Sequence, residues 1–161
     1  MIRNVDLQDA AELCALYNHY IEHSIVTFEE EPVSTEEFRH RIETIIEAYP
    51  WLVYESEGGI AGYVYAGPWK MRHAYRFSAE STVYLARDNH GRGIGTALYE
   101  RLINELRDRE LHALMAGIAL PNDASVALHE KVGFVKVAHF EEVGWKFNTW
   151  IDVAYWELKL R

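Results

Sequence analysis

The stretch from Val83 to Thr96, VYLARDNHGRGIGT, constrains what this chain can fold into more than any other. Val83, Tyr84 and Leu85 are a β-branched and aromatic run suited to a buried strand. A polar turn, Arg87-Asp88-Asn89-His90, leads into Gly91, Gly93 and Gly95. Ile94, Leu98, Leu102 and Leu106 then recur at intervals of four, with Tyr99 and Ile103 beside them, which predicts a helix over 93–109. Strand, glycine turn and helix start together aim unpaired N–H groups and the positive end of a helix dipole at an anion. Glycine lets a phosphate approach the backbone where a Cβ would collide. The expected cradle is Val83, Tyr84, Leu85, His90, Gly91, Arg92, Gly93, Ile94, Gly95 and Thr96, holding a phosphorylated cofactor. The bland alternative is a glycine turn with no ligand.

Spacing narrows the cofactor. A dinucleotide fingerprint needs GxGxxG and an acidic residue about 20 positions on, and here position 98 is Leu. A P-loop needs Gly-Lys-Ser/Thr, which is absent. What remains resembles the pyrophosphate loop of the GNAT N-acetyltransferases, Gln/Arg-x-x-Gly-x-Gly/Ala, with His90, Gly93 and Gly95 in those places. His90 departs from the usual Gln or Arg. The resemblance implies acetyl-CoA as co-substrate.

Composition is consistent with an enzyme of this kind. A length of 161 residues, 49% hydrophobic, suits one domain over 1–161 with a sizeable core. A net charge of −9 argues against nucleic acid or an anionic membrane as partner. Cys14 is alone, so no internal disulfide forms, and it lies in an apolar helical pattern that suits core packing. Charges run through residues 2–12, unlike a signal peptide, and no apolar run is long enough to span a bilayer. These features predict a soluble, cytoplasmic chain. The eight histidines lack tight ligand spacing such as HExxH, so no metal site is expected.

In chain order, Ile2 to Val5 reads as a first strand. Asp6 caps a helix with Ala10, Leu13, Leu16, Tyr17 and Tyr20 on one face, and Ile25 to Phe28 is a loop or short strand. Ser34 and Glu37 form a capping box before a helix burying Phe38, Ile42, Ile45, Ile46 and Tyr49, which Pro50 stops. Trp51–Glu55 and Ile60–Ala66 make a hairpin around Glu57-Gly58-Gly59. A strand over 76–86 enters the glycine loop. Leu114–Leu120 is an apolar strand, followed by a helix ending at Gly133 and by strands Phe134–Phe140 and Trp150–Leu158. Strands interleaved with helices predict an α/β fold with a mixed sheet. The order is similar to the GNAT fold, a mostly antiparallel sheet with flanking helices, in which the cofactor sits where two strands splay apart.

A second segment, IALPNDASVALHEKVGF, places Asn122, Ser125, His129 and Gly133-Phe134 at the spacing of the family's second cofactor stretch, Asn-x-x-Ala/Ser-x-x-x-Tyr-x-x-x-Gly-Phe. The resemblance implies that Asn122 and Ser125 meet the cofactor. Its Tyr place, a general acid near the thioester sulfur, holds His129. Imidazole can donate a proton near neutral pH, or orient the substrate. The alternative is a helix residue bonded only to the protein.

The Ala66-Gly67-Pro68-Trp69-Lys70, Arg72, Ala74-Tyr75 and Glu80-Ser81-Thr82-Val83-Tyr84 run closely resembles phosphinothricin N-acetyltransferases and related amino-acid acetyltransferases. Asn18–Glu22, Tyr49–Val53, Leu120–Asp123 and Gly144-Trp145-Lys146 with Trp150 and Asp152-Val153 agree, so the likeness spans nearly the whole chain. Such acceptors are α-amino acids with a tetrahedral polar head, which call for cations, aromatic walls and a base. Lys70, Arg72 and Arg76 offer cations, and arginine's fork suits carboxylate and phosphinate. Trp69 and Tyr75 can wall the pocket, with Phe28 added by resemblance. The alternatives are a solvated loop and, disfavoured by charge, a nucleic-acid patch.

Glu80, where the family places its catalytic carboxylate, is expected to be the base, sitting just before the strand into the cofactor loop. A peptide α-amine has a pKa of about 7.7–8.0 and must lose a proton to attack. Direct transfer in a ternary complex is expected. Two further readings stay open: acetylation of a protein or peptide N-terminus, and a non-catalytic acyl-CoA sensor. Trp145, Phe147, Trp150, Tyr155 and Trp156 are more aromatic surface than one sheet edge buries, and with the resemblance they predict a homodimer.

Overall fold

The computed structural model describes residues 1–161. Seven strands form one sheet: β1 Ile2–Asn4, β2 Trp51–Ser56, β3 Gly59–Pro68, β4 Ser78–Leu85, β5 Ala113–Leu120, β6 Val135–Lys146 and β7 Thr149–Lys159. Their spatial order is β1-β2-β3-β4-β5-β7-β6. Every pairing is antiparallel except β4 with β5. Four helices flank it: α1 Ala10–His23, α2 Thr35–Ile46, α3 Ile94–Asp108 and α4 Asp123–Lys131. The α/β class and mostly antiparallel sheet agree with the sequence reading.

Each face of the sheet has its own core. On one side Leu98, Tyr99, Leu102 and Leu106 of α3 pack on Val64, Ala66, Leu114 and Trp156. On the other, Leu13, Cys14, Tyr17 and Ile21 of α1 with Phe38 and Ile42 of α2 cover Trp51, Val53 and Tyr63. Strand side chains alternate between faces. Thus Glu80, Thr82 and Tyr84 share the α1/α2 side, whereas Ser81 turns to Tyr99 on the α3 side.

Several local expectations need correction. Asp6 caps a short 3-10 turn, Leu7–Asp9, and α1 starts only at Ala10. Ser34 does accept the Glu37 amide, but the Glu37 carboxylate takes Arg41 instead of closing the box. Ile46, expected in the core, is exposed: it is the last residue of α2 and points away from the core that its neighbour Ile45 packs against. Residues 25–28 form a loop, the first of the two forms expected for them. The last hairpin is longer than expected: β6 runs to Lys146 past an irregularity between Phe140 and Gly144. That irregularity is held by the Asp152 carboxylate accepting the Glu142 amide at 2.8 Å. Trp156 is buried in the core and is no part of an exposed tail.

Candidate active site

The parallel pair of β4 and β5 is joined only at Ser78–Ala113, Ala79–Leu114 and Glu80–Met115. Beyond Glu80 the two strands part, although β4 runs to Leu85 and β5 to Leu120. Their facing edges therefore carry backbone N–H and C=O groups with no ladder partner, suited to an extended amide chain laid between them. The gap opens into a cavity of about 580 Å³ that runs from Glu80 to the start of α3 and the inner side of α4.

The cavity gathers Glu80, Val83, Tyr84, Leu85, His90, Gly91, Gly93, Ile94, Gly95, Thr96, Asn122, Ser125 and His129. Of the residues expected to hold a cofactor, only Arg92 lies outside the lining. Glu80 is the third residue of β4, inside the strand and not before it. The loop is shaped by backbone handedness: Gly91 and Gly93 have φ of 75° and 77°, left-handed values that suit glycine. A Cβ on either would meet no protein atom, so their freedom serves the turn and leaves open space over it. Only at Gly95 is room scarce, since a Cβ would lie 2.9 Å from Leu128 of α4. The first bond inside α3 runs from the Ala97 N–H to the Gly93 carbonyl at 3.0 Å, which leaves the preceding amides free for an anion.

His90 is tied back to the fold. The Tyr20 hydroxyl donates to the Leu85 carbonyl, and the His90 Nε2–H can donate to the Tyr20 oxygen at 3.0 Å. Asn122 caps α4 by accepting the Ser125 amide at 3.2 Å. Its side-chain NH₂ makes no bond to the protein and stays available at the cavity wall. Lys131 is the lining's one lysine or arginine.

At the other end, burial raises the Glu80 carboxyl while the Lys70 cation opposes it. The register sets Glu80 opposite Gly67 of β3, so Trp69 and Lys70 follow close by. Lys70 Nζ lies 4.9 Å from the Trp69 ring centre, and Trp69 meets Tyr155 edge-on at 5.4 Å. Arg72, Tyr75 and Arg76 are exposed, and Arg76 stacks on Phe77 while donating to the His73 carbonyl. Lys70, Arg72 and Arg76 form no ion pair, unlike Arg3 and Arg41. None of these residues, nor Phe28, lines the large cavity. A smaller cavity of about 200 Å³ shares Thr82 and Tyr84 with it and reaches Trp51, Tyr63, Tyr65 and Arg41. The Trp51 indole N–H is buried there without a partner.

His129 is only 3% exposed. Its Nδ1–H donates to the Ser125 carbonyl at 2.6 Å, so Nε2 accepts the Tyr99 hydroxyl proton at 2.7 Å. Tyr99 in turn lies 3.0 Å from the Ser81 hydroxyl. Burial lowers the imidazole pKa, the Ser125 bond opposing, and favours the neutral ring. Sequence reasoning missed Tyr20, Ser81, Tyr99 and Lys131. Tyr99 carried one weak signal, a hydroxyl on an otherwise apolar helix face.

The arrangement is that of a transferase: a splayed strand pair, a helix N-terminus for an anionic tail, and a half-buried carboxylate where the strands part. The chain belongs to the GNAT acetyltransferases: the family model described as Acetyltransferase (GNAT) domain matches residues 2–155. It is 41% identical over 156 residues to a phosphinothricin N-acetyltransferase of Streptomyces viridochromogenes, covering 97% of this chain and 85% of that protein. It is 34% identical over 160 residues to an L-methionine sulfoximine/L-methionine sulfone acetyltransferase of Salmonella typhimurium, covering 99% and 94%. The fold matches that of a Salmonella typhimurium acetyltransferase solved with its cofactor acetyl-CoA, with a TM-score of 0.97, 34% identity, and 100% and 94% of the two chains covered. The free amides before Ala97, the open space over Gly91 and Gly93 and the unpaired strand edges fit acetyl-CoA as co-substrate.

Proposed function

We propose that this chain, a single GNAT domain over 1–161, moves an acetyl group from acetyl-CoA to the α-amine of a small amino acid of the phosphinothricin or methionine sulfone and sulfoximine type. The observation that carries this reading is Glu80 at the last β4–β5 pair, at the mouth of the acyl-donor cavity and beside Lys70. Acetyl-CoA supplies the activated thioester when bound. The amides of Gly91 to Thr96 hold its diphosphate, and Asn122 and Ser125 line its arm. Glu80, its pKa raised by burial, takes a proton from the acceptor ammonium and passes it to water. The free amine attacks the thioester carbonyl directly, with no acyl-enzyme, and the C–N bond forms as the C–S bond breaks. The remaining excess proton on nitrogen leaves with the CoA thiolate as the free thiol. Trp69, Lys70, Arg72, Tyr75, Arg76 and Phe28 surround the acceptor, the cations binding its carboxylate and polar head. With both nitrogens engaged, His129 orients Tyr99 and the cleft wall and is not the proton donor.

The location is cytoplasmic, in keeping with a lone buried cysteine. The working unit is a homodimer joined along β6, the sheet edge. Val135, Val137, Phe140, Val143, Trp145, Phe147 and Trp150 on that hairpin are all at least half exposed, a concentration unusual for an isolated monomer.

Thiol release from acetyl-CoA with L-methionine sulfone, L-methionine sulfoximine, phosphinothricin and a dipeptide tests the reading. Turnover with the three amino acids and little with the dipeptide supports it. Preference for the dipeptide assigns the chain to peptide N-termini instead, and no release with any acceptor makes it a sensor.

A further inference from the structure

The loop between α1 and α2, residues 24–34, has no regular structure, yet Val26 and Thr27 line the large cavity that also holds Glu80. A residue distant in sequence holds it there. Lys146, the last residue of β6, is 1% exposed, and its ammonium donates to the Ser24 carbonyl at 2.8 Å and to the Thr27 carbonyl at 2.7 Å. The Phe147 ring centre lies 5.0 Å away on another side. No carboxylate is within ion-pairing distance, and Glu29 and Glu30 act on it only from farther off. A buried cation whose direct partners are backbone carbonyls is an expensive way to fill space, and an apolar residue there would orphan both carbonyls.

The same strand grips the loop again two residues earlier. Gly144 leaves no room for a Cβ, which would collide with the Phe28 ring. The far side of the loop is also anchored. The Thr27 hydroxyl pairs with the Tyr17 hydroxyl at 2.8 Å, Tyr17 bonds Glu29, and Arg41 holds both Glu29 oxygens at 2.9 and 2.8 Å. The loop is thus clamped between the last hairpin and α1/α2, with Thr27 at the junction.

We propose that Lys146 is a positioning residue that sets Thr27 and Phe28 against the acceptor side of the cleft, so that acceptor binding depends on it and acetyl-CoA binding does not. The inference rests on the acetyltransfer reading above. Its contacts do not reach the glycine loop, Asn122 or α3, so the diphosphate-binding end of the cavity is left as it is. Arginine could keep the two carbonyl bonds at some cost in fit, whereas methionine keeps the volume and loses both.

The test uses K146M and K146R of the full chain. For K146M we expect the acceptor KM to rise at least tenfold at saturating acetyl-CoA, with kcat within threefold and the acetyl-CoA Kd within twofold by calorimetry. K146R should recover part of the KM. Amide hydrogen exchange over residues 24–33 should speed up at least tenfold in K146M with α3 unchanged, a readout that needs no turnover. That separates failure of this proposal from failure of the acetyltransfer reading, which the unsubstituted chain tests in the same assay. Unchanged loop exchange with an unchanged KM overturns the proposal, as does a loss of acetyl-CoA affinity in step with the KM. If K146M does not fold, G144A disturbs the same loop through Phe28 without touching the charge. It must then show the same KM-selective change, and its absence overturns the proposal too.

Discussion

Glu80 and Met115 are the last residues at which β4 and β5 stay in register, and the carboxylate of one stands where the two strands begin to diverge. A single backbone event thus opens the cavity and fixes the Glu80 carboxylate at its edge. Glu80 is also half-buried, so its ionised form is disfavoured by the fold.

E80Q should lower kcat/KM by about 10²–10⁴-fold, the usual contribution of a positioned base. The acidic limb of the pH–rate profile should vanish with it. Stability should move the other way. A carboxyl with a raised folded pKa contributes stability below its unfolded value of about 4.3, and that contribution is lost as pH rises through the folded value. E80Q should therefore melt higher than the native chain at pH 7.5, with the gap closing below about pH 4. Thermal scans at both pH values check the sign.

Gly93 is the left-handed residue that opens α3. An alanine there carries a backbone penalty of roughly 1–2 kcal/mol and must also shift the free amides that follow. G93A should lose about that much stability in urea titrations. Its acetyl-CoA affinity should fall at least tenfold by calorimetry, while G58A, at a turn with open space around it, changes neither.

Tyr99 stands between His129 and Ser81 in the floor of the cleft. Y99F strips the proton from the imidazole Nε2 bond and leaves that buried nitrogen without a partner, while the Ser81 hydroxyl keeps the Met115 carbonyl. The expected loss is about 1–3 kcal/mol of unfolding free energy. Because His129 is kept neutral, its contribution to stability is present above the unfolded pKa of about 6.5 and is lost as pH falls through the lowered folded value. H129Q should remove that dependence, seen as a smaller drop in melting temperature between pH 7.5 and pH 5.5 than the native chain shows.

The β6 edge sets a prediction about assembly. The chain has a mass of 18.7 kDa and should sediment at about twice that. V137D places like charges across a two-fold contact and should give the monomer mass with the sheet intact by circular dichroism. A native chain that sediments as a monomer removes the dimer.

Much of the donor end was legible in the residues, because its constraints are local. Left-handed glycines, a helix start and the Asn122 cap each act within a few positions and leave a spacing behind. Glu80 was singled out through the resemblance of its neighbours in the chain, and a strand over 76–86 already contained it, yet its position at the last β4–β5 pair needed the register. Contacts between distant parts of the chain were harder to read. Lys146 meets Ser24 and Thr27 across more than a hundred residues, and Tyr99 meets His129 from a different helix. No periodicity records such meetings. Ile46 misled because two adjacent apolar residues at a helix end both fit the pattern, although only Ile45 faces the core.

The most direct test of acetyl transfer at Glu80 is an initial-velocity matrix of acetyl-CoA against L-methionine sulfone, with mass spectrometry of both the product and the protein. Intersecting lines, one free CoA thiol for each N-acetylated amino acid, and an unmodified chain are predicted. Parallel lines with an acetylated chain, or thiol release without an N-acetyl product, would contradict the account.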